Sequence, residues 1–208
     1  MKKSTAIFWM VIASVTVGKG QSPDQEKPCV FVNDNGRIFI NKNLPVYLWL
    51  STSPEENAPA YRLTSDNSEI YTNPMYFDTE GRNTVRSPWC VDTVTRQMVY
   101  PAADIIFDVY ADGRPPVTRV RISGKIQPSR DGMTCYSGRV EIILTATDFV
   151  SGVSSTYFSL NNHSFERYTK PFFVDHEGNH TLSWFSVDKV GNRELQQEKK
   201  FMVIQNGD

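Results

Sequence analysis

The feature that most constrains this chain is an internal repeat whose offset is close to half the chain length. Tyr71-Thr72-Asn73-Pro74 aligns with Tyr168-Thr169-Lys170-Pro171 at an offset of 97, the difference between positions 171 and 74. Further pairs follow at offsets of 97, 96 and 94: Glu80-Gly81 with Glu177-Gly178, Val91-Asp92 with Val187-Asp188, Phe107 and Val109 with Phe201 and Val203, and Val46, Leu48 and Leu50 with Val140, Ile142 and Leu144. Loop insertions within one repeated fold produce such a drift. We therefore expect two related domains and not one large enzyme fold.

The first 20 residues have the features of a secretory signal peptide. Lys2 and Lys3 supply a positive start, and Gly18-Lys19-Gly20 has small residues at the two positions that a signal peptidase requires. The apolar stretch between them, at 6–17, has 12 residues, whereas a helix needs roughly 20 to span a bilayer. We expect cleavage after Gly20, export to the periplasm, the cell surface or the medium, and no transmembrane segment in the mature chain.

The rest of the chain is predicted to form β-strands. Val140, Ile142 and Leu144 alternate with other residues, so that one face of a strand is apolar at period two. Turn sequences rich in Asn and Gly separate such runs, and no helical period is sustained after residue 25. Two prolines within 112–116 mark a boundary, because proline cannot donate to a sheet ladder. We expect an N-terminal segment at 21–36, a first domain at 37–111 and a second domain at 112–208.

The second half carries short motifs in a fixed order. They are Pro115-Pro116, T-A-T-D-F-V-S-G-V at 145–153, F-E-R-Y-T-K-P at 165–171, E-G-N-H-T at 177–181 and S-V-D-K-V-G-N-R-E at 186–194. In these motifs the chain resembles a bacterial immunoglobulin-like β-sandwich repeat, which occurs in exported cell-surface proteins and in accessory modules of carbohydrate-active enzymes. The resemblance implies an all-β fold of two tandem immunoglobulin-like or fibronectin-III-like β-sandwich domains. The first half looks like a diverged copy of this pattern, in which Ser53-Pro54-Glu55-Glu56 stands in place of the motif Asp-x-x-Ser-Gly.

Asp148 and Asp188 end two predicted strands and begin loops. In an immunoglobulin-like topology these loops lie at one end of the sandwich, where the two carboxylates, with Asn192 or Glu194, could supply oxygen ligands to calcium. The alternative, which we favour, is that each carboxylate accepts hydrogen bonds from the backbone of its own turn. The expected turn positions are Gly81, Asp92, Gly152, Gly178, Gly191 and Asn192. We expect no other metal site and no cofactor.

The aromatic residues suggest a binding face. Tyr47 and Trp49 fall on the register opposite to Val46, Leu48 and Leu50, so we expect them to point outward, where they could stack on sugar rings. Other aromatic candidates for the same role are Tyr61, Tyr76, Trp89 and Trp184. The alternative is that these rings cover an edge, a loop or a domain interface.

Charge and motifs narrow the classes of function. Removal of three lysines with the signal peptide changes the formal charge from −1 to −4, whereas a nucleic-acid surface needs a basic excess. The chain has neither a Gly-x-Ser-x-Gly elbow nor a phosphate-binding loop, so we expect no enzyme. Of the 3 cysteines, at most two can pair, and we favour buried, inert thiols for Cys29, Cys90 and Cys135. We expect a non-catalytic exported interaction or structural protein that binds an envelope or extracellular protein; the alternative is a carbohydrate-binding accessory module of the cell envelope.

Overall fold

The computed structural model describes residues 30–62, 74–87, 94–97, 105–130 and 132–204, and it confirms that the chain is all-β. The strands are β1 (Val30–Val32), β2 (Ile38–Asn41), β3 (Trp49–Leu50), β4 (Tyr61–Arg62), β5 (Gly81–Ser87), β6 (Ile105–Asp112), β7 (Val117–Arg130), β8 (Met133–Thr147), β9 (Val153–Leu160), β10 (Glu166–Arg167), β11 (Phe172–Val174), β12 (Gly178–Asp188) and β13 (Gln197–Ile204). Within these described ranges, no helix is long and apolar enough to cross a membrane.

The chain divides into two compact units between Gly113 and Arg114. The division lies inside the predicted boundary at 112–116. Unit 1 contains Cys29–Gly113 and unit 2 contains Arg114–Asp208.

Unit 1 is built on a four-stranded sheet with the order β1-β2-β6-β5, and β3 pairs with β4 in a separate two-stranded ribbon. The β1–β2 hairpin is antiparallel, β2 pairs with β6 in parallel, and β6 pairs with β5 in the antiparallel sense. Ile40, Val109 and Ala111 form a buried cluster on one face of this sheet. Successive strand residues point to opposite faces, so Asp108 and Tyr110 of β6 lie on the other face.

Unit 2 is a sandwich around a larger core. The strand order is β10-β9-β12-β13-β8-β11, and β7 pairs with β8 along most of its length. The first part of β8 pairs with β13 at 134–137, and its later part pairs with β11 at 140–142, so β8 contributes to both layers. Strands of this length were not expected; Gly138, with a φ of 72°, lies between the two parts of β8. The core contains Tyr136, Val140, Ile142, Leu144, Val174, Leu182, Trp184, Phe201 and Val203.

The same pairing scheme occurs in both units. In unit 1, Val30 pairs with Ile40, and Ile40 with Ala111 in parallel. In unit 2, Ile126 pairs with Tyr136, and Tyr136 with Val203 in parallel. Gly81 and Gly178, which begin β5 and β12, both have a positive φ, 86° and 129°, which glycine adopts without steric cost.

The pairing corrects the alignment of the last strand of the repeat. Val109 lies opposite Asn83, while Phe201 lies opposite His180. Because His180 follows Asn83 at the offset of 97 (180 minus 83), Val109 corresponds to Phe201 and not to Val203. The predicted alignment of the last strand was therefore displaced by two residues. A shift of two keeps every side chain on the same face, so alternation cannot reveal it.

Candidate functional site

The loop after β8 is organised by Asp148. Its Oδ1 atom accepts a hydrogen bond from the backbone N–H of Gly152 at 2.7 Å and another from Val150 at 3.1 Å. Gly152 has a φ of 85°, so glycine suits this turn. The N–H of Lys189, in the loop after β12, donates to the carbonyl of Gly152 at 3.0 Å. The two loops are therefore directly joined, at one end of the sandwich.

The loop after β12 is organised in the same way by Asp188, which is fully buried. Its Oδ1 atom accepts from the backbone N–H groups of Asn192 at 2.8 Å and Val190 at 2.9 Å. The Asn192 side-chain amide donates to its Oδ2 atom at 2.7 Å. Carboxylate oxygens of Asp148 and Asp188 lie within 4.8 Å of each other. Hydrogen bonds in each turn explain both aspartates, and the calcium interpretation stays a prediction; Asp92, the expected counterpart in unit 1, lies outside the described residues.

Glu194 belongs to a buried polar network that the sequence did not reveal. Its carboxylate accepts from the backbone N–H of Thr118 at 3.0 Å and from the Thr118 hydroxyl. That hydroxyl lies 2.6 Å from the Ser186 hydroxyl, which lies 2.8 Å from the Thr156 hydroxyl. The network joins β7, β9 and β12. Together with the turn of Asp188, it gives the Ser, Asp, Asn and Glu of the motif at 186–194 a structural explanation, because buried polar groups need partners.

His180 is held within unit 2 and does not pair with His176 for a metal. Its Nε2 atom bonds the backbone carbonyl of His176 at 2.8 Å, and its Nδ1 atom lies 3.2 Å from the side-chain amide of Asn161.

Cys135 is buried with a free thiol, whereas Cys29 and Cys90 lie outside the described residues.

In unit 1, apolar side chains around the β3–β4 ribbon are exposed. Leu50 and Tyr61, which we call the tyrosine surface, are 48% and 74% exposed, and Tyr47 and Tyr76 elsewhere in unit 1 are 40% and 68% exposed. Leu50 lies opposite Tyr61 in the ribbon, so these side chains share a face. The alternation of 46, 48 and 50 placed Leu50 on the buried face, and this expectation is wrong. Among the described residues the ribbon has two strands, and its Leu50–Tyr61 face is open to solvent.

Tyr47 and Trp49 are only partly available. Trp49 lies opposite Arg62, whose guanidinium stands over the Tyr47 ring at 5.7 Å from its centre. Trp49 is half-buried, so it points outward less than we expected. Trp184, another candidate, is buried in the core of unit 2 and cannot bind a ligand, and Trp89 lies outside the described residues.

A third feature is a cleft on the face of the four-stranded sheet opposite the core of unit 1. This arginine cleft has a volume of about 410 Å³ and is lined by Gly36, Arg37, Ile38, Arg82, Asp108 and Tyr110. Arg82 forms a salt bridge with Asp108 at 2.7 Å, and the Thr84 hydroxyl donates to the same carboxylate at 2.8 Å. These bonds, together with the positive charge of Arg37, lower the pKa of Asp108. The salt bridge to Asp108 likewise raises the pKa of Arg82.

Arg37 is placed in the cleft by the β1–β2 turn. The Asn33 side chain accepts hydrogen bonds from the backbone N–H groups of Asn35 at 3.1 Å and Arg37 at 2.9 Å. The guanidinium of Arg37 stands over the ring of Tyr110, 5.5 Å from its centre. The residues of this cleft are far apart in the sequence. No local pattern in the sequence indicated that they would meet.

Comparisons with known proteins add little to this geometry. No family model matches the chain, and no curated protein matches it. A solved structure of the fibronectin(III)-like modules of CbhA from Clostridium thermocellum is similar, with a TM-score of 0.38 and 13% identity over 85% of this chain and 94% of that chain. We take no site residue from this distant likeness.

Proposed function

We propose that the chain is a non-catalytic, exported interaction protein made of two immunoglobulin-like units, and that unit 1 binds a protein of the envelope or the extracellular space. The observation that carries this proposal is the exposed pair of Leu50 and Tyr61. Both are large apolar residues, and they lie opposite each other on an open face of the β3–β4 ribbon.

An exposed group of this kind favours a protein partner. Contiguous apolar surface on a soluble protein marks interaction sites, and tyrosine is enriched where partners are bound. Val46 and Met75 exchange backbone hydrogen bonds at 3.0 and 2.8 Å. This bridge joins the segment of Tyr47 to the segment of Tyr76, so two further exposed tyrosines of unit 1 lie on paired backbone segments.

Affinity capture from an envelope extract tests the proposal. We expect the exported chain to retain a discrete protein partner and the Tyr61→Ser variant to lose most of it, since central aromatic residues dominate interface energies. Val94→Ser is the matched control, because Val94 is also exposed on unit 1 and lies outside the tyrosine surface. A partner retained equally by the wild type and Tyr61→Ser would contradict the proposal. So would a glycan-array hit without any protein partner.

Binding of a neutral glycan is the second candidate function. It is favoured by Tyr47 and Trp49, which lie on the same side of the chain segment that leads into β3. Sugar binding predicts that Tyr47→Ala and Trp49→Ala abolish retention of a specific glycan, while Tyr61→Ser does not. The position of Arg62 over the Tyr47 ring weighs against this candidate, because one face of the ring is occupied. The same glycan array, repeated with these variants, distinguishes the two functions.

A further inference from the structure

The arginine cleft has the composition of a binding site for an anion. Its lining contains two guanidinium groups, Arg37 and Arg82, and one carboxylate, Asp108. The salt bridge engages the Nη2 atom of Arg82, whose side chain is still 62% exposed. A guanidinium has five N–H donors, so this bond leaves donors of Arg82 for another acceptor. The lining therefore has one cation more than it has anions.

The aromatic residues hold the second cation in place. Tyr110 packs on Phe39 with ring centres 5.1 Å apart, and Phe39 packs on Phe31 at 5.8 Å. This row of rings crosses three strands, and Arg37 stands over its end at Tyr110. A guanidinium above an aromatic face keeps its N–H edge free to donate in the bidentate geometry that suits a carboxylate. A flat aromatic ligand would have to displace Arg37 from that ring.

Asp108 adds a requirement for hydroxyl donors. Its two oxygens accept from Arg82 and Thr84, and an ionised carboxylate has about four acceptor positions. A ligand that places a hydroxyl near its own anionic group can donate to Asp108 while the anion meets the arginines. The cleft volume of about 410 Å³ lies in the range of small-ligand sites. Carboxylate, hydroxyl groups and a compact non-aromatic ring occur together in sugar acids.

We propose that the arginine cleft binds an acidic sugar unit of a polysaccharide, with the sugar carboxylate on Arg37 and Arg82 and a neighbouring hydroxyl donating to Asp108. This site is separate from the tyrosine surface and goes beyond the function proposed above. Unit 1 thereby has two binding regions, one for protein and one for anionic glycan.

Calorimetric titration of the exported chain with short oligouronates tests the site. We use oligomers of galacturonate, glucuronate, mannuronate and guluronate, with the methyl-esterified galacturonate oligomer as the uncharged match. We expect binding to at least one acidic oligomer, no measurable binding to the ester, and weaker binding as salt screens the charges. Failure to bind any of the four acids, or equal binding of the ester, overturns the proposal.

Substitutions then locate the binding. Arg37→Gln is expected to weaken the affinity about tenfold or more, because a charged hydrogen-bonding partner is lost. Arg37→Lys should recover only part of it, since lysine cannot donate bidentately. Arg119→Gln, an exposed arginine of unit 2, is the matched control and should bind as the wild type does. An unchanged thermal midpoint shows that Arg37→Gln is folded; wild-type affinity in that variant overturns the proposal.

Two further measurements separate this site from other ligands and from the first proposal. Tyr61→Ser should bind oligouronates normally, whether or not it captures a protein partner. A peptide with a free C-terminal carboxylate should not compete with the sugar. If the peptide binds in the cleft and the oligouronates do not, the site is for peptide ends and the proposal is wrong.

Discussion

The two units share one scheme of strand pairing but differ in the size of the side chains that form their cores. In each, a first hairpin is followed by a parallel pairing of its second strand with the last strand of the unit. Unit 2 fills this frame with large side chains such as Phe201 and Trp184, both in its core. In the described part of unit 1, the corresponding cluster consists of Ile40, Val109 and Ala111, each with a smaller side chain than its counterpart Tyr136, Phe201 or Val203 in unit 2. The same plan of strand pairing therefore supports a core of large side chains in unit 2 and a core of smaller side chains in the described part of unit 1.

The turns differ in the same direction. In unit 2, the carboxylate of Asp148 accepts backbone N–H groups at 2.7 and 3.1 Å. In the replaced segment of unit 1, hydroxyl groups take this part: the N–H of Ser53 donates to Ser51 and that of Glu55 donates to Ser53, each at 3.3 Å. Hydrogen bonds to a charged acceptor are shorter and stronger than those to a neutral one. The turn of unit 1 is therefore held by weaker hydrogen bonds than the turn of unit 2. Unit 1 is also the unit that exposes the tyrosine surface.

The largest expected effect concerns the cores. Phe201→Ala should reduce the free energy of unfolding by about 3–5 kcal/mol, because it removes a fully buried ring. Val109→Ala, at the corresponding position of unit 1, should cost about 1–2 kcal/mol, since only two methyl groups are lost. Denaturant unfolding of the chain, followed by fluorescence and circular dichroism, measures both. Equal losses at the two positions would show that the units are equally well packed.

A smaller difference is expected between the turns. Asp148→Ala should cost about 1–3 kcal/mol through the loss of two backbone hydrogen bonds to a carboxylate. Ser53→Ala should cost about 0.5 kcal/mol or less, as a surface substitution. Melting is measured once with calcium and once with a chelator, and the Asp148→Ala loss should be the same in both. A loss that occurs only with calcium would identify Asp148 as a metal ligand and contradict the turn role.

The smallest effect concerns pH and the salt bridge of the arginine cleft. Because the folded state lowers the pKa of Asp108, its contribution to stability is present above the unfolded pKa of about 4 and is lost as the pH falls through the folded value. We therefore expect wild type and Asp108→Asn to differ slightly in denaturation midpoint at neutral pH. The difference should vanish in strong acid. A difference that persists there would show that the carboxylate charge is not its source.

The all-β fold could be predicted because its signals are carried by the order of residues within short stretches of the chain. Apolar alternation and turn residues fix strands and faces, and the repeat fixes the rough spacing of equivalent strands. Neither fixes register to better than two residues, which is why Val109 was aligned with Val203 and not with Phe201. Backbone pairing supplied the missing constraint.

The sites were less predictable, because each depends on which residues of other strands lie beside it or over it. Leu50 has the periodicity of a core residue, yet its side chain on the two-stranded ribbon is 48% exposed. The arginine cleft combines Arg37, Arg82 and Asp108 from three strands or turns, and no local spacing brings them together. By contrast, the loops of Asp148 and Asp188 could be placed near each other in advance, because their motifs come with a known order of strands.

The network around Glu194 has a consequence for how unit 2 is made. The N–H of Thr118 is separated from its acceptor on Glu194 by 76 residues, almost the whole length of the unit. Contacts between such distant positions form late, after much of the loop-closure entropy has been overcome. The backbone N–H of Thr118 therefore gains its acceptor only after nearly the whole unit has been made, whereas the Ser186 hydroxyl can already bond the hydroxyls of Thr118 and Thr156. A chain that stops short of Glu194 cannot complete the network that joins β7, β9 and β12.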